Sequence, residues 1–286
     1  MIQDRLYVPA RDEILYHYCD EPSFRGIIES RTIWASAFDA LNDPLERKWG
    51  HEVFVESCRR LKAIVDNDYL EVVTDIVNRA YSSSILMVSS FSLHPDYWKQ
   101  WQRYAASGQG FAIGFSANAL RMPAKPLRIL YDPELQIKEL TGNLRHIYEH
   151  QRTLGFPYED EFQAHCFHLG LDLCAYKDPA FQGEKEVRYA HIAGLAPGEE
   201  QQIIPLGARG PDGNRLSEPC ETLYRTRGTV KVPYVALDSS DKGRAEPVTI
   251  VTVGPNNGES EESIRAYLDS LGLTATRLTR STGRAV

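Results

Sequence analysis

No stretch of the chain is apolar for long enough to span a bilayer. Its longest apolar runs, at 84–88 and 248–253, fall far short of the roughly 20 residues that a spanning helix requires. The opening residues, MIQDRLYVPARDE, lack the apolar block and small-residue cleavage site of a secretory signal. Together these absences lead to the expectation of a cytoplasmic protein with no membrane partner. Cysteine is scarce as well. Cys19, Cys58, Cys166, Cys174 and Cys220 form no Cys-x-x-Cys pair and leave an odd count, which argues against a disulfide framework and a structural zinc site. His146 with His150, and His165 with Cys166 and His168, have spacings that could touch one metal. HIYEH nevertheless lacks the His-Glu-x-x-His order of zinc hydrolases, so no metal is expected. The Gly-rich pieces SGQGFAIGF and GARGPDGN lack the spacing and strand-to-helix setting of phosphate loops and read as turns. A formal charge of -7, with Lys and Arg scattered, leaves no broad footprint for a phosphate backbone, although a local basic groove stays open.

What is present is a core-forming sequence. With 286 residues, 42% of them hydrophobic, the chain can bury a sizeable interior. Dense aromatic and branched residues predict strands at 13–19, 31–38, 82–92 and 110–116, and acidic, Ser and Pro starters followed by Phe24, Ile27 and Ile28 at helical spacing predict a helix across 20–30. Two helices, joined near 66–68, are expected over 50–81 to cover a sheet, and one more at 95–107. Another strand is predicted at PLRILYD. Residues 133–176 read as mainly helical with a break at 155–157. Strands follow at KEVRYAHI, QQIIPL, TVKVPYVAL and PVTIVTV, and a last helix at 260–272. No repeat or linker marks a boundary. The expected fold is one α+β domain over 1–286, with mixed, largely antiparallel sheets and a helical insertion at about 133–176.

Three short pieces carry candidate chemistry. In FQGEKEVRY, residues 181–189, an extended strand would point Glu184, Glu186 and Arg188 to one face. Strands are depleted in Glu. Such a face is either a solvated edge, with Arg188 neutralising the carboxylates, or a site where a fixed carboxylate stabilises an oxocarbenium-like transition state at a sugar. A glycosidase would use paired carboxylates too. In SFS, Ser90 and Ser92 share a face at a strand end, suited to a turn or to holding a Glu side chain. His17, inside LYHYC, is either a satisfied structural residue or a donor to a ribose hydroxyl or phosphate. Trp98, Trp101 and Tyr104, at helical spacing, read as core rather than as a stacking platform. Asn42, Asp43, Pro44 and Glu46 read as a turn that braces its own loop.

Taken in order, LYHYCDEPSFRGIIESRTIWASAFDALNDPLE (15–46), SSFSLHPDYWKQWQRYAASGQGFAIGFS (89–116), FQGEKEVR (181–188) and STGR (281–284) resemble the bacterial domain of unknown function 2971 family along most of the chain. Phe181 stands where that family often has Trp. More loosely, a His in an opening strand, a Ser-x-Ser strand end and a later Glu-x-Glu resemble the ADP-ribosyltransferase signature. That resemblance implies a split sandwich of sheets and NAD as substrate. It also implies His17, Tyr18, Ser90 and Arg188 on the dinucleotide, and Ser92 supporting the site. Glu186 would then be the principal catalytic group, with Glu184 orienting an acceptor. ADP-ribosyl transfer or NAD glycohydrolysis would follow, in a toxin, effector or defence protein with a protein or nucleic-acid acceptor and an antitoxin as conceivable partner. The other reading is a catalytically silent module that binds a nucleotide or partner.

Overall fold

The computed structural model describes residues 2–40, 46–198, 202–206, 219–240 and 246–283. The first strand, β1 (Ile14–Cys19), leads into α1 (Glu21–Ser30). The Asp20 side chain caps this helix by accepting from the Ser23 N–H, and Arg31 ends it in the left-handed conformation. β2 (Thr32–Ala37) follows, then two long helices, α2 (Glu46–Leu61) and α3 (Asn67–Ser83), then β3 (Ser84–Ser92). The short α4 (Trp98–Tyr104) precedes β4 (Phe111–Ser116) and β5 (Lys125–Arg128). α5 (Pro133–Leu154) and α6 (Asp160–Asp172) come next. The remainder is β6 (Glu186–Leu195), β7 (Ile203–Ile204), β8 (Leu223–Arg227), β9 (Val230–Asp238), β10 (Val248–Val253), α7 (Glu261–Ser270) and β11 (Arg277–Arg280). Among the described residues no helix is long and apolar enough to cross a membrane.

The strands make one open, mixed and largely antiparallel sheet in which, among the described residues, only the β10–β11 strand pair is parallel. Its organising strand is β3. One edge of β3 is paired along its whole length with β6, from Ser84↔Gly194 to Ser92↔Glu186. The other edge is shared: β2 pairs at Val88 and Met87, whereas β1 pairs only at Tyr16↔Ser92. The sheet therefore forks at β3 into one arm, β1-β4-β10-β11, and another, β2-β9-β8, with α1 joining the two. Between the arms, the β3 edge from Ser89 to Phe91 lacks a partner strand among the described residues, and two side chains satisfy backbone carbonyls on β2 and β3 left by the gap. Ser89 Oγ donates to the Trp34 carbonyl at 2.8 Å, and His17 Nδ1 donates to the Ser90 carbonyl at 3.0 Å. A cleft opens in this fork.

Two cores support it. One gathers the inward faces of the sheet, with Leu15, Ile33, Met87, Phe91, Ile113 and Val251. The second is helical and unites α2, α3, α5 and α6 through residues such as Phe54, Tyr69, Val77, Leu144 and Phe162. Thus α2 and α3, expected to cover a sheet, share their apolar stripes with the 133–176 helices and build a bundle instead. The expected helix at 95–107 is shorter, because Ala106 and Ser107 turn to positive φ. That turn delivers Gly110 against the Cys19 carbonyl, where a Cβ would collide. Two strands escaped the sequence reading. β8 and β11 are polar terminal strands of the sheet, and LYRTR and RLTR place Arg and Thr where a half-buried strand would carry apolar residues. The GARGPDGN turn lies outside the described residues.

The Asp132 carboxylate caps α5 by accepting from the Glu134 and Leu135 N–H groups at 2.9 and 3.0 Å. Asp132→Ala is expected to lower unfolding free energy by about 1 kcal/mol, measured by urea denaturation. An unchanged midpoint would contradict this capping role.

Candidate functional site: a buried carboxylate network in the sheet fork

The chain enters the site through a 3-10 helix, Pro179–Glu184, whose start is capped by Asp178 accepting from the Ala180 N–H. Lys185 then adopts φ 44°, and β6 begins at Glu186. This corrects the single-strand reading of FQGEKEVRY: Glu184 ends a helical turn, and the left-handed Lys185 redirects the chain before the strand. Gly183 leaves room here for the Tyr97 ring, whose hydroxyl a Cβ would displace. The solvated-edge reading also fails. Glu184, Glu186 and Arg188 are 3%, 4% and 1% exposed.

Burying carboxylates requires compensating charge and hydrogen bonds, and the fold supplies both. Lys177 Nζ lies 2.7 Å from Glu46 Oε1, 2.7 Å from Glu184 Oε2 and 2.9 Å from Glu186 Oε2, which uses all its protons. Arg188 donates from Nε to Glu186 Oε1 at 2.7 Å and from Nη2 to Glu186 Oε2 at 3.0 Å. Nη2 also reaches Glu46 Oε2 at 2.8 Å, and Nη1 reaches the Cys174 carbonyl at 2.7 Å. Arg103 Nη1 reaches the remaining oxygen, Glu184 Oε1, at 3.0 Å, with the Tyr104 hydroxyl at 3.4 Å. Glu46, Glu184 and Glu186 are thus balanced by Lys177, Arg188 and Arg103. Arg103 alone of the six has a substantially exposed side chain, at 45%. The Phe181 ring packs under the Arg103 and Lys177 cations, at 4.8 and 4.9 Å from its centroid.

The electrostatics follow. Burial alone would raise the Glu186 pKa. Arg188 and Lys177 beside it, with hydrogen bonds from Arg188, hold it well below the usual carboxylate range. Burial disfavours the Lys177 and Arg188 charges, yet the surrounding carboxylates carry both above their ordinary values. Burial raises the Tyr104 phenol, and Glu184 reinforces the shift. Desolvation lowers the His17 pKa, which favours the neutral ring. Its one N–H is directed at the Ser90 carbonyl, so Nε2 is the acceptor nitrogen.

The cleft has a volume of about 1150 Å³ and is lined by His17, Tyr18, Ser90, Ser92, Glu184, Glu186 and Arg188 among others. All seven sequence-identified candidates therefore meet on it, but with sharpened roles. Ser92 Oγ donates to the Glu184 carbonyl at 2.6 Å and accepts from the His94 N–H, so it fixes the backbone of Glu184 rather than its carboxylate. Ser90 lines the cleft, and its carbonyl accepts the His17 N–H. Tyr18 spends its hydroxyl on the His94 carbonyl and the Tyr97 N–H. Arg188 is committed to protein acceptors, so its expected contact with a dinucleotide gives way to a positioning role for Glu186. His17 presents an acceptor nitrogen where a donor was expected.

Lys177, Glu46, Arg103 and Tyr104 were not singled out as site residues. Glu184 and Glu186 with only Arg188 on the same expected strand face signal a missing positive charge there, but nothing local says that it comes from Lys177. Glu46 was read as part of a loop brace; Asn42, Asp43 and Pro44 lie outside the described residues, as does Arg284 of STGR, while Glu46 itself begins α2 and enters the network. Trp101 is core as expected, fully buried with Nε1 donating to Asp96, whereas Tyr104 from the same stripe faces the cleft. Among the described residues no cluster suited to a metal occurs.

Glu186→Gln leaves Arg188 and Lys177 short of an anion and is expected to cost about 3 to 5 kcal/mol. Because the folded pKa of Glu186 lies below its ordinary value of 4.5, its contribution is present above that pH and is lost as pH falls towards the folded value. Urea midpoints between pH 7 and pH 3 should fall more steeply for wild type than for Glu186→Gln. Parallel slopes would contradict the network.

Searches of curated proteins and of solved structures gave no match. The family described as protein of unknown function (DUF2971) matches residues 100–189, a span that holds Arg103, Tyr104, Lys177, Glu184, Glu186 and Arg188 but neither His17 nor the serines of β3. Over this segment, about a third of its length, the chain is similar to the DUF2971 family.

Proposed function

We propose that the protein is an NAD-utilising enzyme of ADP-ribosyltransferase type, performing ADP-ribosyl transfer or NAD glycohydrolysis. The observation that carries this reading is the convergence of His17, Ser90, Ser92, Glu184 and Glu186, from three distant segments, on one cleft. Its volume of about 1150 Å³ lies above the roughly 300 to 1,000 Å³ of ordinary small-molecule sites and suits a dinucleotide. The forked sheet is compatible with the split sandwich of that superfamily.

In this reading the bond between ribose C1′ and the nicotinamide nitrogen breaks, and its electron pair passes to the cationic pyridinium, which leaves neutral. Positive charge develops on the ribose. Glu186, held ionised by Arg188 and Lys177, is the fixed charge that favours it. Glu184, whose Oε1 faces the exposed Arg103 and the Tyr104 hydroxyl, takes the acceptor's proton as its nucleophile bonds to C1′. The neutral His17 accepts a ribose hydroxyl. The acceptor is a protein, a nucleic acid or water, and a toxin, effector or defence role in the cytoplasm, with an antitoxin partner, fits this chemistry.

One observation favours a second reading, a nucleotide-binding module without catalysis: all six carboxylate oxygens already have protein partners. Nicotinamide release from NAD separates the two. Wild type is expected to release nicotinamide, and Glu184→Gln to release at least about 100-fold less, within the range removed with a general acid or base. No release by folded wild type, or equal release by both, would sink the enzymatic reading.

A further inference from the structure

The β2-β9-β8 arm brings a second cationic group to the same cleft. Arg225 and Arg227 stand two apart on β8, opposite Val232 and Val230, and so share a face of the sheet. Both line the cleft. Arg225 reaches across β9 to β2, where its Nη2 donates to Ser36 Oγ at 3.0 Å and its guanidinium lies 5.7 Å from the centroid of the half-exposed Trp34 ring.

Arg225 is only partly exposed, and its Nε is buried with no hydrogen-bond partner. Among the described residues no carboxylate pairs with it. Asp20, whose charge is felt at Arg225, is occupied in capping α1. Desolvation and the neighbouring Arg227 disfavour the Arg225 charge. Arg188 provides the contrast within one molecule: a buried guanidinium whose acceptors are two carboxylates and a carbonyl. An uncompensated guanidinium with an orphan N–H is costly in a folded protein. Its planar fork matches phosphate oxygens.

We infer that Arg225, with Arg227 beside it, anchors a subsite for the diphosphate of a nucleoside-diphosphate substrate, at a different part of the cleft from the Glu184–Glu186 network. The dinucleotide identity of that substrate rests on the NAD-utilising reading. The anion subsite itself does not.

Calorimetric titration of the full chain with ADP, and separately with inorganic pyrophosphate, tests the inference. Wild type is expected to bind both, and Arg225→Gln to bind ADP about tenfold or more weakly, equivalent to about 1.4 kcal/mol. Arg225→Lys should recover part of the loss. Without ligand, Arg225→Gln should melt at or above the wild-type temperature, since it removes an unneutralised charge. Equal ADP affinity in wild type and Arg225→Gln, absence of ADP and pyrophosphate binding by wild type, or misfolding of both variants would overturn the subsite. Arg225-dependent ADP binding without nicotinamide release from NAD would sink the transferase reading and leave the subsite standing. Nicotinamide release with an unchanged KM in Arg225→Gln would do the reverse.

Discussion

Lys177 holds the site together. Its ammonium is the common counter-ion of Glu46, Glu184 and Glu186, residues that arrive from the start of α2, the end of a 3-10 helix and the first position of β6. Without a shared cation, three carboxylates at this burial would repel one another and protonate. With it, and with Arg188 fixed in turn by Glu46 and Glu186, the helical bundle and the sheet are tied at one point. Such networks are expensive to desolvate and add little net stability, but they impose geometry. Here they fix two carboxylates at the base of a large cleft.

The cleft itself is a consequence of strand pairing. Because β1 and β2 occupy different stations on one edge of β3, the sheet must divide between them, and His17 and Ser89 satisfy the backbone groups exposed by the division. His17 is thus structural and cleft-lining at once: its N–H serves the fold, and its other nitrogen is an acceptor. The same logic separates Ser90 from Ser92. Ser92 fixes the Glu184 backbone through its hydroxyl, and Ser90 accepts from His17 through its carbonyl, so neighbouring residues of one strand hold different parts of the site.

Much of this was legible in the sequence because it was local. Strand periodicity located β1, β3 and β6, caps located α1 and α7, and the order of LYHYC, SFS and Glu-x-Glu marked pieces that meet in space. What escaped was non-local or polar. Lys177 is an isolated cation after CAY, and only tertiary packing brings it to carboxylates from other elements. Lys185 looks like an ordinary strand residue until its left-handed backbone separates Glu184 from β6. β8 and its arginines carry no apolar alternation, yet they form a wall of the cleft.

The most direct test of the account is a crystal structure of the protein soaked with NAD. The account predicts the nicotinamide ribose within hydrogen-bond distance, about 3 Å, of Glu186, with the His17 Nε2 facing the ribose and the diphosphate on Arg225. Dinucleotide density elsewhere on the protein, or in the cleft with the ribose remote from Glu186, would contradict it.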